Sequence, residues 1–275
     1  QIAAEEFGLP ADKVVVTMPD TDAAAFDAGS QGSRTTHIVG RAVLEAAIEV
    51  RAQILDTAAN ILEATVEDLE LANEMVSVSG TPSKQVSLAE IAATAQATTG
   101  PISGTGSYTT PMPPINPTCA SGLLFPAFPT PTYHVHVAEV EIDPTTGIVR
   151  VLRYLVAQEV GKAINPEAVR GQIQGGVAQG LGYALWETLQ IDAGRYSQRT
   201  LEAYGLPLAT DTPEVEIVLL EHPDPAGPYG AKGVAEPPII PVAAAIGNAV
   251  AHAIGKSVNT IPITAERVLE ALSGS

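Results

Sequence analysis

Cysteine is almost missing: the chain has one, Cys119, in 275 residues. A single thiol excludes an intrachain disulfide and any cysteine-ligated zinc or iron–sulfur site. No histidine stands near it in sequence, so Cys119 reads as a packed thiol and not as a nucleophile. Basic residues are scarce as well, 14 against 31 acidic ones, for a net charge of −17. That balance speaks against nucleic acid, whose binding relies on Lys and Arg neutralising phosphates, and against an anionic membrane surface. No apolar run of transmembrane length is expected, and no Gly-x-Ser-x-Gly elbow gives serine hydrolysis a footing.

What is present describes a well-buried globular protein: 45% apolar and only 16% charged residues. The length suits one large domain or two modest ones, with a division expected near 128/129. The chain opens Gln1-Ile-Ala-Ala-Glu-Glu-Phe7, a helix-like stretch with no cap ahead of it and no signal pattern. The expectation is therefore a piece of a longer polypeptide, located in the cytoplasm.

Local patterns predict interleaved helices and strands without a regular repeat, an α+β protein of mixed sheets with packed helices. Lys13 to Met18 is short and β-branched and reads as a strand. Thr36 to Leu62 reads as one long helix, with Val39, Val43, Ala47, Ile54, Ala58 and Ile61 forming its buried stripe. A turn at Thr65 to Leu71 is expected to lead into a strand near Met75 to Val78. Ser87-Leu-Ala-Glu90 fits a capping box and starts a helix to about Ala97. Thr99 to Pro131 has little periodicity and reads as a long irregular crossing.

Tyr133 to Ile142 and Ile148 to Val156 read as a hairpin about the Asp143–Gly147 turn, with a phase shift between Val137 and Val140 that suggests a bulge. Asn165-Pro-Glu starts a helix to about Glu187. Val215 to Leu220 is a strand, and helices are expected at Pro241 to Ile254 and Thr264 to Leu272.

Three segments could carry chemistry. Gly230-Ala-Lys-Gly-Val-Ala-Glu-Pro-Pro-Ile239 holds one carboxylate, Glu236, between glycines and prolines. Proline fixes φ and pushes the residue before it away from the helical region. A carboxylate so confined suits a positioned base, although a solvated loop glutamate is the commoner outcome for such a residue.

The second segment, Ala28-Gly-Ser-Gln-Gly-Ser-Arg-Thr-Thr36, places backbone N–H groups, hydroxyls and an arginine at a helix start. That is an anion cradle or an ordinary capped terminus. The third, Gly171-Gln-Ile-Gln-Gly-Gly-Val-Ala-Gln-Gly-Leu-Gly182, costs helix propensity at each glycine. Its glycines clear one side for tight packing or for a ligand, with Gln172 and Gln179 on one face. His134 and His136 share a strand face, and two histidines alone favour a structural role over a metal site. His37, His222 and His252 are scattered.

In this order, Asp20-Thr-Asp22, Gly32–Thr36, Val137–Gly147, Gly161–Pro166, Gly171-Gln172, Gln179–Gly182 and Gly230–Pro238 resemble the molybdenum hydroxylase family. Its members include xanthine dehydrogenase, aldehyde oxidase and the carbon monoxide dehydrogenase large subunit. The resemblance covers residues 1–275 as the C-terminal half of the molybdopterin-binding region, its second such domain. It implies Glu236 as the catalytic glutamate, and Gln172 as a cofactor contact that hydrogen-bonds a molybdenum oxo ligand. Gly32, Ser33, Arg34 and Thr35 would form the loop holding the pterin. No metal ligand comes from this chain.

Ala235 and Glu159 depart from the family pattern, which has glycine before the glutamate and commonly aspartate at the second position. The implied cofactor is molybdopterin, or its cytosine dinucleotide, with molybdenum. FAD and 2Fe-2S clusters would sit in partner modules, and the N-terminal half of the subunit is a further partner. The implied enzyme hydroxylates a small-molecule aldehyde or N-heterocycle with water as oxygen source, and is an oligomer when complete. The isolated piece would be inactive. An alternative is a cofactor-free structural or assembly module.

Overall fold

The computed structural model describes residues 1–17, 20–22, 24, 26–27, 29–110 and 130–274. Cys119, Met18 and most of the expected irregular crossing lie outside the described residues. The chain divides into two compact units, Gln1–Thr130 with Asp224–Ala231, and Pro131–Pro223 with Lys232–Ser275.

The first unit opens with α1 (Ile2–Phe7), ended by Gly8 in the left-handed conformation. Val14 to Thr17 follow a short turn and form no strand, contrary to the expectation for Lys13–Met18. Val15 and Val16 are 85% and 86% exposed, and without a neighbouring strand β-branched residues have nothing to pair with. A wide turn at Thr35–Val39 leads into α2 (Gly40–Leu62). Its buried line is Gly40, Leu44, Ala47, Ile54, Leu55, Ala58 and Leu62. The expected stripe is therefore rotated in the first half, where Val39 and Val43 are exposed.

A three-stranded antiparallel sheet follows, β1 (Leu69–Ala72), β2 (Met75–Val78) and β3 (Thr81–Ser87), in that spatial order. Ser87 then caps α3 (Leu88–Thr98), its side chain accepting from the Glu90 N–H. Ile54, Leu55, Ala58 and Leu62 pack with Leu69, Val76, Val86 and Ile91 as the core of this unit. Gly100 to Thr110 run without regular structure along α2, held where Gln53 Nε2 donates to the Ser103 carbonyl at 2.6 Å. A Cβ at Gly106 would overlap the Ala42 carbonyl, so this close approach requires glycine.

The second unit is built on β4 (His134–Ile142), β5 (Val149–Glu159) and β8 (Val215–Leu220). β4 pairs antiparallel with β5, and β5 pairs parallel with β8. A parallel pair needs a long crossover. Here α4 (Pro166–Leu185) lies in that connection, with the two-residue strands β6 (Ile191–Asp192) and β7 (Arg195–Tyr196) and the one-turn helix α5 (Leu201–Tyr204).

The bulge lies in the expected strand pair: Glu139 pairs with Arg153 and Val140 with Val151, which leaves Leu152 of β5 as the extra residue. β4 itself alternates without a break, because Val135 and Val137 face outward. α6 (Val242–Ile254) and α7 (Ala265–Ser273) complete the unit. Pro237–Ile254 proves long and apolar enough to cross a membrane by length and composition, contrary to expectation. In this unit, however, Val242, Ile246 and Val250 are wholly buried in the core with Ile173, Val177 and Leu181 of α4.

Candidate functional site

The Gly32 loop is shaped by two successive left-handed residues, Gly32 with φ 58° and Ser33 with φ 57°. The Arg34 N–H closes the turn by donating to the Gln31 carbonyl at 3.2 Å. This is the pattern of a tight turn with positive φ at both central positions, and it is costly for serine, which has a Cβ. Ser30 Oγ and Thr35 Oγ1 lie 2.7 Å apart and brace the turn. The continuous helical run then starts at Thr35, so its first N–H groups and the positive end of its dipole face the loop. Gly32 is exposed, and a Cβ built there would meet no atom within 4 Å.

His37 lies buried just inside this helix start. Burial holds its pKa below the ordinary value, partly offset by Asp224, whose Oδ1 is 4.0 Å from Nε2. The imidazole is thus kept towards its neutral form, and positive charge at the loop comes from Arg34 and the helix terminus.

In the second unit Gln172 is an exposed residue of α4. Asn165 caps that helix, its Oδ1 accepting from the Ala168 N–H at 3.0 Å, with Pro166 in the first turn. The glycines of α4 divide into two groups. Gly171 and Gly175 face open space, whereas a Cβ at Gly176 would come 2.7 Å from Pro238 Cβ, and one at Gly180 would overlap Val242. The chain from Pro238 to Val242 therefore lies directly on α4 and runs in the same direction. Gln172, Gly176 and Gly180 are spaced by four, one above another on a helix. Glu236, two residues before Pro238, sits at the end of the segment nearer Gln172.

Glu236 caps the short turn Pro237–Ile239, its carbonyl accepting from the Ile239 N–H at 3.2 Å. Its φ of −91° and ψ of −33° are helical, against the extended conformation expected before proline. That closing hydrogen bond offsets the pre-proline penalty, and the two prolines occupy first-turn positions where an N–H would be unpartnered anyway. The Glu236 side chain is exposed.

Two residues whose pairing the sequence does not reveal bear on the Glu236 segment. Lys232 and Glu159 form an ion pair of 2.8 Å, with side chains 11% and 4% exposed. The pair joins positions 73 residues apart, which no local pattern reveals. Elsewhere His136 Nδ1 lies 3.0 Å from the Tyr154 hydroxyl, and the His134 and His136 rings pack edge to face. Among the described residues no group of three or more His, Cys, Asp or Glu side chains could hold a metal ion.

The donor set at Gly32–Thr36 suits an anionic group such as a cofactor phosphate: open space beside glycine, hydroxyls, a guanidinium and a helix N-terminus in an otherwise acidic chain. The amide of Gln172 can donate to an oxo group, and Glu236 can accept a proton. Each set by itself suits part of such a group: the loop an anionic phosphate, and Gln172 with Glu236 an oxygen-bearing reactive end.

Comparison with known proteins agrees in kind. The family described as the molybdopterin cofactor-binding domain matches residues 1–213. The gamma subunit of the 6-hydroxypseudooxynicotine dehydrogenase complex of Paenarthrobacter nicotinovorans is 34% identical over 280 residues, covering 100% of this chain and 34% of that protein. The carbon monoxide dehydrogenase large chain of Hydrogenophaga pseudoflava is 34% identical over 279 residues, covering 99% and 33%. The crystal structure of quinoline 2-oxidoreductase from Pseudomonas putida 86 superposes with a TM-score of 0.82 at 31% identity, covering 99% of this chain and 34% of that one. The chain spans about a third of the length of these relatives.

Proposed function

Because the chain belongs to the molybdopterin cofactor-binding domain family, we propose that it forms part of the catalytic centre of a molybdenum hydroxylase. The substrate would be an aldehyde or an N-heterocycle, with water as the source of oxygen. The observation that carries this reading is the pinning of the Glu236 segment on the glycine face of α4, at the end nearer Gln172. In this reading Gly32, Ser33, Arg34 and Thr35 hold the pterin and its phosphate through backbone N–H groups, hydroxyls and the guanidinium. Gln172 donates a hydrogen bond from its side-chain amide and so orients the reactive end. Glu236 is the general base, taking a proton onto a carboxylate oxygen as the oxygen that enters the product attacks carbon.

When bound, the cofactor supplies the two-electron redox centre, as molybdopterin or its cytosine dinucleotide with molybdenum. Exclusion of water over the exposed Glu236 falls to the remaining two-thirds of the subunit, the N-terminal half included. Electrons would leave through 2Fe-2S and FAD partner modules, in an oligomeric enzyme of the cytoplasm. The 275-residue chain alone would then be inactive.

The test is Glu236→Gln in the complete subunit, with turnover and molybdenum content measured together. The variant is expected to keep its molybdenum and to lose at least about a hundredfold in turnover, the contribution of a positioned base. Near-normal turnover contradicts the role. Full molybdenum and pterin on the isolated chain would show instead that this piece needs no second half.

A further inference from the structure

We infer that Glu159 and Lys232 act as positioning residues, a buried clamp that sets where Glu236 stands; this rests on the reading of Glu236 as the base. Lys232 is fixed to the end of β5 twice, its N–H donating to the Val160 carbonyl at 3.0 Å and its Nζ donating to Glu159 Oε2 at 2.8 Å. Nζ also donates to the Pro131 carbonyl at 3.3 Å. The other carboxylate oxygen, Oε1, accepts from the Gly161 N–H at 2.6 Å. Gly161 has φ 63°, a left-handed turn that sends the chain towards Asn165 and α4.

One buried carboxylate thus anchors two departures from the same strand end. The first leads into the helix that carries Gln172. The second, from Lys232, reaches Glu236 in four residues and is pinned again where Pro238 meets Gly176. Only Gly233-Val-Ala235 separates the clamp from the carboxylate, and Val234 packs against the core. With both ends held, Glu236 has little backbone freedom left.

An ion pair this deep adds little net stability over an apolar pair of similar volume. Its contribution is directional, because a lysine that must meet one carboxylate fixes the chain that bears it. Losing that direction matters, since misplacement of a reacting group by about 1 Å can cost roughly a hundredfold in rate.

The experiment uses the complete, molybdenum-loaded subunit carrying Glu159→Gln and Lys232→Met together, which leaves no orphaned buried charge. Lys232→Arg alone is the conservative comparison. Hydrogen exchange of the 231–240 amides and kcat against KM are measured on each. The double variant is expected to exchange faster across 231–240 and to lose about a hundredfold in kcat, with KM and molybdenum content unchanged. Lys232→Arg is expected to recover most of both.

Should the double variant not fold, Glu159→Gln with Lys232→Gln, a neutral pair that likewise leaves no buried charge, gives the same two readouts. Unchanged exchange overturns the clamp whatever the kinetics. Faster exchange with undiminished kcat overturns the positioning role of the clamp, whereas the base role of Glu236 is overturned only by near-normal turnover of Glu236→Gln.

Discussion

The Gly32 loop and the Glu236 segment reach a defined geometry by opposite means. The loop is local: Gly32 and Ser33 adopt left-handed φ, Arg34 closes the turn on Gln31, and a helix begins at once. Its chemistry is mostly backbone, and little beyond residues 29–37 is needed to build it. The Glu236 segment is held from afar, by Glu159 on β5 and by Gly176 and Gly180 on α4. The lesson is that a backbone cradle can be specified by its own sequence, whereas a single carboxylate on a surface needs a scaffold to aim it.

The comparison breaks hardest at α4. Gly180→Leu should force the Val242 segment off the helix and destabilise the protein by about 3 kcal/mol, the upper range for overpacking. Gly175→Ala, one turn away but facing open space, should instead stabilise by about 0.5–1 kcal/mol. Chemical denaturation curves compared at constant slope separate the two. Equal effects would show that the Glu236 segment is not seated on the glycine face.

A smaller effect is expected in the loop. Gly32→Val places a β-branched residue at φ 58°, a conformation costing roughly 1–2 kcal/mol for residues with a Cβ. Cofactor content of the complete subunit should fall, with secondary structure by circular dichroism unchanged. Retained pterin and molybdenum would remove the loop from the site.

The mildest test is pH. Burial lowers the pKa of His37 beside the loop, and of His134 and His136 in the second unit, the last to about 4 from 6.5. The unfolded chain takes up these protons first as pH falls, so their contribution is full above about pH 6.5 and is lost towards about pH 4 for His136. Asp224 softens the shift at His37. Acid should therefore loosen the unit bearing Glu236 before the unit bearing the loop, readable as hydrogen exchange at pH 5 against pH 7.

Legibility followed the same divide. Caps at Ser87 and Asn165, the β4–β5 turn and the Val215–Leu220 strand were all readable, because each depends on neighbours within a few residues. Val14–Thr17 misled, since β-branched residues predict a strand only where a partner exists. The α2 stripe was misplaced for a similar reason: Val43 and Leu44 are equally apolar, and only the packing decides which is buried. The α4 glycines left packing and ligand approach open. The structure assigns packing to Gly176 and Gly180 and open space to Gly171 and Gly175. The Glu159–Lys232 pair was invisible as a pair, though Lys232 lay within the Gly230–Pro238 motif and Glu159 had been noted as a departure from the family pattern.

The most direct measurement is anomalous diffraction at the molybdenum edge from crystals of the complete subunit. One molybdenum peak facing both the Gln172 amide and the Glu236 carboxylate is the predicted result. A peak remote from both side chains would contradict the account.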